Sequence, residues 1–113
     1  MSKFMQIDIR ILPFFEKSFE KSFPRIADML KGLSYSEIIK KEVSFYALID
    51  TLQTIMDHPD TPAQIKEDIA PVVKELHQLK EVAREYLLAR KLNELDKVLY
   101  RIEDQFENLE SSL

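Results

Sequence analysis

The sequence predicts an all-α protein, an antiparallel helical bundle of about four helices with a short extended arm at its N-terminal end. Three observations predict this class. Apolar residues recur at spacings of three and four along most of the chain, which is the period of a helix with one buried face. A single glycine argues against β-sandwiches and glycine-rich phosphate loops. With 45% hydrophobic and 32% charged residues, the chain is also too apolar to be disordered.

Residues 1–12 form the predicted arm, and residues 13–113 form the predicted single helical-bundle domain. Ile7, Ile9 and Ile11 alternate with polar residues, which is the period of a strand. Because the chain contains no second strand pattern, one strand alone would leave its backbone unpaired. Three structures therefore stay open for this segment: an arm packed on the helices, a strand paired with a second copy of the chain, or a helix. We favour the arm.

The first predicted helix carries phenylalanines four residues apart, including Phe15, Phe19 and Phe23. At about 100° per residue these rings lie in one apolar arc, with Pro24 almost opposite to them. We therefore expect the helix to continue through Pro24 with a kink on its outer side. The alternative is a break, in which Ser22 caps a second short helix.

Residues with strong positional preferences mark the next boundary. Gly32 is expected to end the first helix in the left-handed conformation. Ser34 and Glu37 then have the spacing of a capping box, which predicts a second helix from about Tyr35 to Asp57.

The third predicted helix begins at a second capping box. Thr61 is its predicted N-cap, Pro62 takes the first helical position and Gln64 completes the box. Pro71 lies away from the apolar stripe of this helix, so we expect a second kink there. The stripe consists of Ile65, Ile69, Val72, Leu76, Leu79, Ala83 and Tyr86.

The last segment carries its own apolar stripe, about 140° from that of the third helix if the helix is simply extended. Either the chain turns between Arg90 and Asn93, with Asn93 as N-cap, or one helix of about 50 residues, roughly 75 Å long, uses opposite faces and needs a partner chain. We favour the turn. The stripe consists of Leu92, Leu95, Leu99, Ile102, Phe106, Leu109 and Leu113.

Apolar residues in the arm and along this last stripe make up the candidate interface of the chain. A small domain does not leave so much apolar surface in water. Two explanations stay open with equal weight: the N-terminal arm covers part of this surface, or the surface makes a protein–protein contact, most simply in a homodimer. Internal packing against the first two helices is the alternative for the last stripe. The candidate interface residues are Phe4, Ile7, Ile9, Ile11, Phe14, Leu88, Leu92, Leu95, Leu99, Ile102, Phe106 and Leu109.

Few residues in the sequence suggest chemistry. Asp57, His58 and Asp60 could bind a divalent metal, but we favour a turn between helices, in which Asp and Pro are chosen for backbone reasons. The remaining carboxylates alternate with lysine and arginine at helical spacing, as on a solvated surface. We therefore predict no enzyme, no cofactor and no small-molecule ligand, and we keep a metal-binding or enzymatic bundle as the second hypothesis.

The charge pattern bears on the remaining classes of partner. The net charge is −4 and basic residues form no separate face, which argues against nucleic acid, our third hypothesis. Apolar runs are too short for a membrane span. Without cysteines and without a signal-peptide pattern, a cytoplasmic location is the expectation. The predicted function is a helical protein-interaction module, an adaptor, chaperone-like protein or regulatory subunit, which acts through apolar helix faces.

Overall fold

The computed structural model describes residues 11, 18–39 and 44–113, and all the regular elements in these parts are helical. The predicted all-α helical bundle is confirmed. The described elements are α1 (Phe19–Ser22), α2 (Pro24–Gly32), a 3₁₀ helix (Ser36–Ile39), α3 (Phe45–Asp57), α4 (Ala63–Leu88) and α5 (Leu92–Ser112).

The core is formed mainly by the long helices, because α5 packs along α4 and α3 packs against α4. Within the described ranges, the fully buried side chains are all hydrophobic. An aromatic cluster joins the shorter elements to α5. The rings of Phe45 and Phe106 stack with their centroids 4.5 Å apart, and Phe23 meets both rings edge-on, at 6.0 Å and 6.4 Å. This cluster ties the N-terminal helices to α3 and α5.

The arm and the first half of the first predicted helix lie almost entirely outside the described residues. This holds for Phe4, Ile7, Ile9 and Phe14 of the candidate interface. Ile11 is the exception: it is half-buried and packs against the core. The predicted arm as a whole lies outside the described residues and stays a prediction.

The predicted kink at Pro24 is wrong, and the alternative of a break is what the structure has. Phe23 leaves the helical region with φ −133° and ψ 64°, so α1 ends before it and α2 begins at Pro24. A proline costs nothing at the first position of a helix, where its missing N–H would have no helical partner. The cap differs from the predicted one, because Phe23 and not Ser22 occupies the N-cap of α2.

The boundary after α2 also differs from its prediction. Gly32 lies inside the helix without a positive φ, and Ser34 takes the left-handed position with φ 68°. The Tyr35 N–H donates to the Leu30 carbonyl at 2.8 Å and the Ser34 N–H to that of Lys31 at 3.1 Å, which is a Schellman motif. Ser34 is therefore used to end α2 and is not the cap of a following helix.

The second predicted helix is interrupted. A 3₁₀ helix replaces its beginning, residues 40–43 lie outside the described ranges, and α3 starts at Phe45 after the N-cap Ser44. The start of the third helix is shifted by one residue, because Pro62 is the N-cap of α4 and Thr61 precedes it. In this part of the structure, no side chain caps α4 through a hydrogen bond. The predicted capping box therefore located the start of the helix within one residue, but its hydrogen bonds are not formed.

The predicted turn near Arg90 is confirmed as the end of α4 and the start of α5, with Lys91 rather than Asn93 as N-cap. It is a second Schellman motif: Arg90 has φ 57°, and the Lys91 N–H donates to the Tyr86 carbonyl at 2.9 Å. Upstream, α4 continues through Pro71, which is exposed. The long single helix is therefore excluded, and the change of apolar face reflects a hairpin of α4 and α5.

Candidate interaction surface

The buried face of α5 belongs to the internal core. Four residues of the candidate interface lie on this face, which at about 100° per residue occupies an arc of about 80°. In the single chain they pack against the other helices, so internal packing, the alternative for the last stripe, accounts for them. The buried residues of α5 are Leu95, Val98, Ile102, Phe106 and Leu109.

Other apolar residues of the hairpin lie in solvent. Leu88, in the last turn of α4, is 73% exposed, and Leu92, at the start of α5, is 52% exposed. Tyr100 is 62% exposed and Val82 is 37% exposed. Leu88 and Leu92 belong to the candidate interface, whereas Tyr100 was missed. The spacing could have revealed it, because Tyr100 follows Leu92 by eight residues and therefore lies on the same side of α5.

In each long helix, one predicted stripe position is exchanged for its neighbour. Val98 is buried whereas Leu99 is only half-buried, and Val73 is buried whereas Val72 is half-buried. A spacing of three or four fits two adjacent residues almost equally well, so the sequence alone could not decide between them. Leu99 therefore lies at the border between the core and the solvent.

We use the name outer face of α5 for six residues in the arc next to the buried face. They span about 100° around the helix axis. Leu99 is half-buried and the other five are exposed. Apolar side chains occupy the first half of this face, and carboxylates dominate the second. The outer face consists of Leu92, Asp96, Leu99, Tyr100, Glu103 and Glu107.

The carboxylates of this face repel one another. Partial burial raises the pKa of Glu103, and the negative charges of Glu107, of Asp104 beside this face, and of Asp96 raise it further. Among the described residues, no ion pair involves any of these four carboxylates. The second half of the outer face therefore carries negative charge that the rest of the described chain does not neutralise.

Positive charge lies at the N-terminal end of α5, opposite to this acidic half. Arg90 and Lys91 form the exposed turn between Leu88 and Leu92, and we call them the turn cations. Arg90 holds the left-handed conformation that a glycine would adopt at lower cost. The surface of the hairpin thus runs from a basic turn, through exposed apolar side chains, to an acidic end.

Glu110, near the C-terminal end of α5, contacts the start of α2. Its carboxylate accepts hydrogen bonds from the backbone N–H groups of Arg25, at 2.6 Å, and Ile26, at 2.9 Å. These are N–H groups of the first turn of α2, which has no cap from its own N-cap side chain. The Arg25 guanidinium also donates to the Ser111 carbonyl at 3.5 Å. A charge on α5 therefore caps a helix 84 residues earlier in the sequence.

The residues considered for metal binding are explained by local structure. The Asp60 N–H donates to Nδ1 of His58 at 3.1 Å, so this imidazole stabilises the turn between α3 and α4. His77 is half-buried on α4, with an Nε2 atom that lacks a hydrogen-bond partner among the described groups. Across the described ranges, no group of three or more acidic, histidine or cysteine side chains is placed to hold a metal ion.

Comparison of the chain with protein-family models, with curated proteins and with solved structures gives no match. Among the described helices, none has the length and the hydrophobicity needed to cross a bilayer.

Proposed function

We propose that this protein is a helical interaction module that binds other protein chains through the apolar side chains of the α4–α5 hairpin. The observation that carries the proposal is the exposure of Leu88, Leu92 and Tyr100 around one turn and along one side of α5. Large apolar side chains grouped on a surface are typical of protein contacts, and tyrosine is among the residues enriched there.

The organisation of the core supports the same proposal. Within the described residues the interior is built from hydrophobic side chains, and the aromatic cluster fixes the short helices against α5. Such a core holds the hairpin rigidly without using its outer side. A preorganised helical surface loses little entropy when a partner binds, which favours recognition by helix faces.

The test is a triple substitution of the exposed residues, Leu88→Gln, Leu92→Gln and Tyr100→Gln. We expect the variant to keep its helical circular dichroism and its urea midpoint, because exposed positions contribute little to stability. We also expect it to lose the chemical cross-links, to itself or to other proteins, that the native chain forms in cell extract. Val82→Gln is the matched control, since Val82 is an exposed apolar residue of α4 away from the turn. A triple variant that forms the same cross-links as the native chain would contradict the proposal.

A further inference from the structure

We infer that the partner of the hairpin surface is a second copy of this chain, paired antiparallel along the outer face of α5. This inference rests on the proposed function and specifies it. Its basis is the order of groups along the surface: two cations in the turn, exposed apolar residues next, and an acidic end. In an antiparallel pair of identical helices, the basic end of each meets the acidic end of the other.

The spacing along α5 locates the two-fold axis. Leu92 and Tyr100 are eight residues apart, with Asp96 midway between them. At 1.5 Å per residue, each lies about 6 Å from Asp96 along the helix. A two-fold axis beside Asp96 therefore brings Leu92 of each protomer to the same height along the pair as Tyr100 of the other. Both exposed apolar residues of α5 are then covered, and the contact occurs twice, as an isologous interface requires.

The same axis brings the charged ends together. Lys91 precedes Asp96 by five residues and Glu103 follows it by seven. The two charges thus lie about 8 Å and about 10 Å from the axis along the helix. The offset along the helix axis is thus about 3 Å, and a long, flexible lysine side chain can reach around the helix toward the carboxylate. Each pair of turn cations then lies beside Glu103 and Asp104 of the other protomer, where it neutralises the repulsion among these carboxylates.

One contact in this arrangement is unfavourable. Asp96 lies at the axis and faces its own copy, and two carboxylates at short distance repel each other. The pairing therefore predicts that Asp96→Asn strengthens the dimer.

The test is charge reversal with exchange of partners, followed by sedimentation equilibrium of the full chain from micromolar to millimolar concentration. We expect the native chain to form dimers. Two charge-reversed variants are compared with the native chain: Arg90→Glu/Lys91→Glu and Glu103→Lys/Asp104→Lys. We expect the dimer of each to be at least about tenfold weaker, because like charges then meet at both ends. An equimolar mixture of the two variants should recover the dimer mass, because each reversed end then meets an opposite charge.

Controls separate this effect from loss of structure and from net charge. Glu75→Lys/Glu81→Lys reverses two exposed carboxylates of α4 and should leave the dimer mass unchanged. Circular dichroism of every variant should match that of the native chain. If both reversed variants unfold, the neutralising variants Lys91→Gln and Glu103→Gln take their place, with weaker association expected for each.

Three results would overturn the inference: a native chain that stays monomeric at millimolar concentration, a dimer that neither reversal weakens, or a mixture that fails to restore it. A monomeric chain whose cross-links to other proteins still depend on Leu88, Leu92 and Tyr100 would overturn the self-pairing and leave the proposed function intact. A monomeric chain whose cross-links do not depend on these three residues would overturn both the self-pairing and the proposed function.

Discussion

The two faces of α5 carry similar apolar side chains in opposite environments. Leu95 and Ile102 are buried against the other helices, whereas Leu92 and Tyr100 are exposed. The difference comes from their neighbours. Carboxylates lie between the apolar residues of the outer face, and a buried charge without a partner is costly. Whether an apolar residue of α5 is buried therefore depends on its own side chain and equally on whether the residues one turn away are charged.

Aspartate substitutions test this comparison most severely. Ile102→Asp puts a charge into the core, so we expect it to unfold the chain, with a loss of more than about 4 kcal/mol. Leu99→Asp, at the half-buried border, should leave a folded protein of lower stability. Urea denaturation followed by circular dichroism measures both. Equal losses in the free energy of unfolding for the two variants would show that the buried face and its border do not differ in burial.

The next effect concerns Glu110, where α5 contacts α2. Glu110→Ala removes the acceptor of two N–H groups in the first turn of α2, so we expect a loss of about 1–2 kcal/mol in the free energy of unfolding. Glu110→Gln should lose less, because its amide oxygen still accepts one bond. Ser111→Ala is the control, since only its backbone carbonyl takes part in the contact. An alanine variant as stable as the native chain would contradict the capping role.

Substitution in the turn between α4 and α5 should raise the stability of the chain instead of lowering it. Arg90→Gly relieves the left-handed backbone of a residue with a side chain, and we expect a gain of about 1 kcal/mol in thermal or urea unfolding. Ser34→Gly is the matched test at the end of α2, where φ is also positive. A loss of stability at both positions would contradict the assignment of left-handed ends.

The smallest effect is expected on the outer face itself. The raised pKa of Glu103 means that its protonated form is favoured by folding. This contribution to stability is present below the pKa of the unfolded chain and is lost as the pH rises through the pKa of the folded state. Glu103→Gln should therefore stabilise the chain slightly at neutral pH and not in acid. Solvent screening keeps the gain below about 0.5 kcal/mol.

A comparison of urea midpoints at pH 7 and pH 3 measures this difference at low protein concentration, where association does not contribute. A gain of equal size at both pH values would show that the charge of Glu103 is not its cause.

Much of the fold could be predicted because helical periodicity and the turn residues agree along the chain. The face change between Tyr86 and Leu92 correctly predicted a turn although no glycine or proline marks it. The failures have a common cause. Gly32, Ser34 and Pro24 each suit two adjacent roles at a helix end, and residue type alone does not decide which role is taken.

The candidate surface could be predicted in part. Leu88 and Leu92 were identified because they extend beyond the stripe of α4 or begin the stripe of α5, and both are exposed. Leu95, Ile102, Phe106 and Leu109 could not be assigned to core or interface from spacing, since both uses have the same period. The bond from Glu110 to α2 has no local signal at all, because its partners lie 84 and 85 residues away.

That bond has a consequence for the order in which the protein takes shape during synthesis. The N–H groups of Arg25 and Ile26 leave the ribosome long before the carboxylate that they bind, which follows 84 residues after Ile26. Until Glu110 emerges, the start of α2 has only water as a partner there, and the aromatic cluster lacks Phe106 as well. Although α2 is translated before α3, α4 and α5, its start is therefore fixed in place only late, and α5 is the segment that completes it.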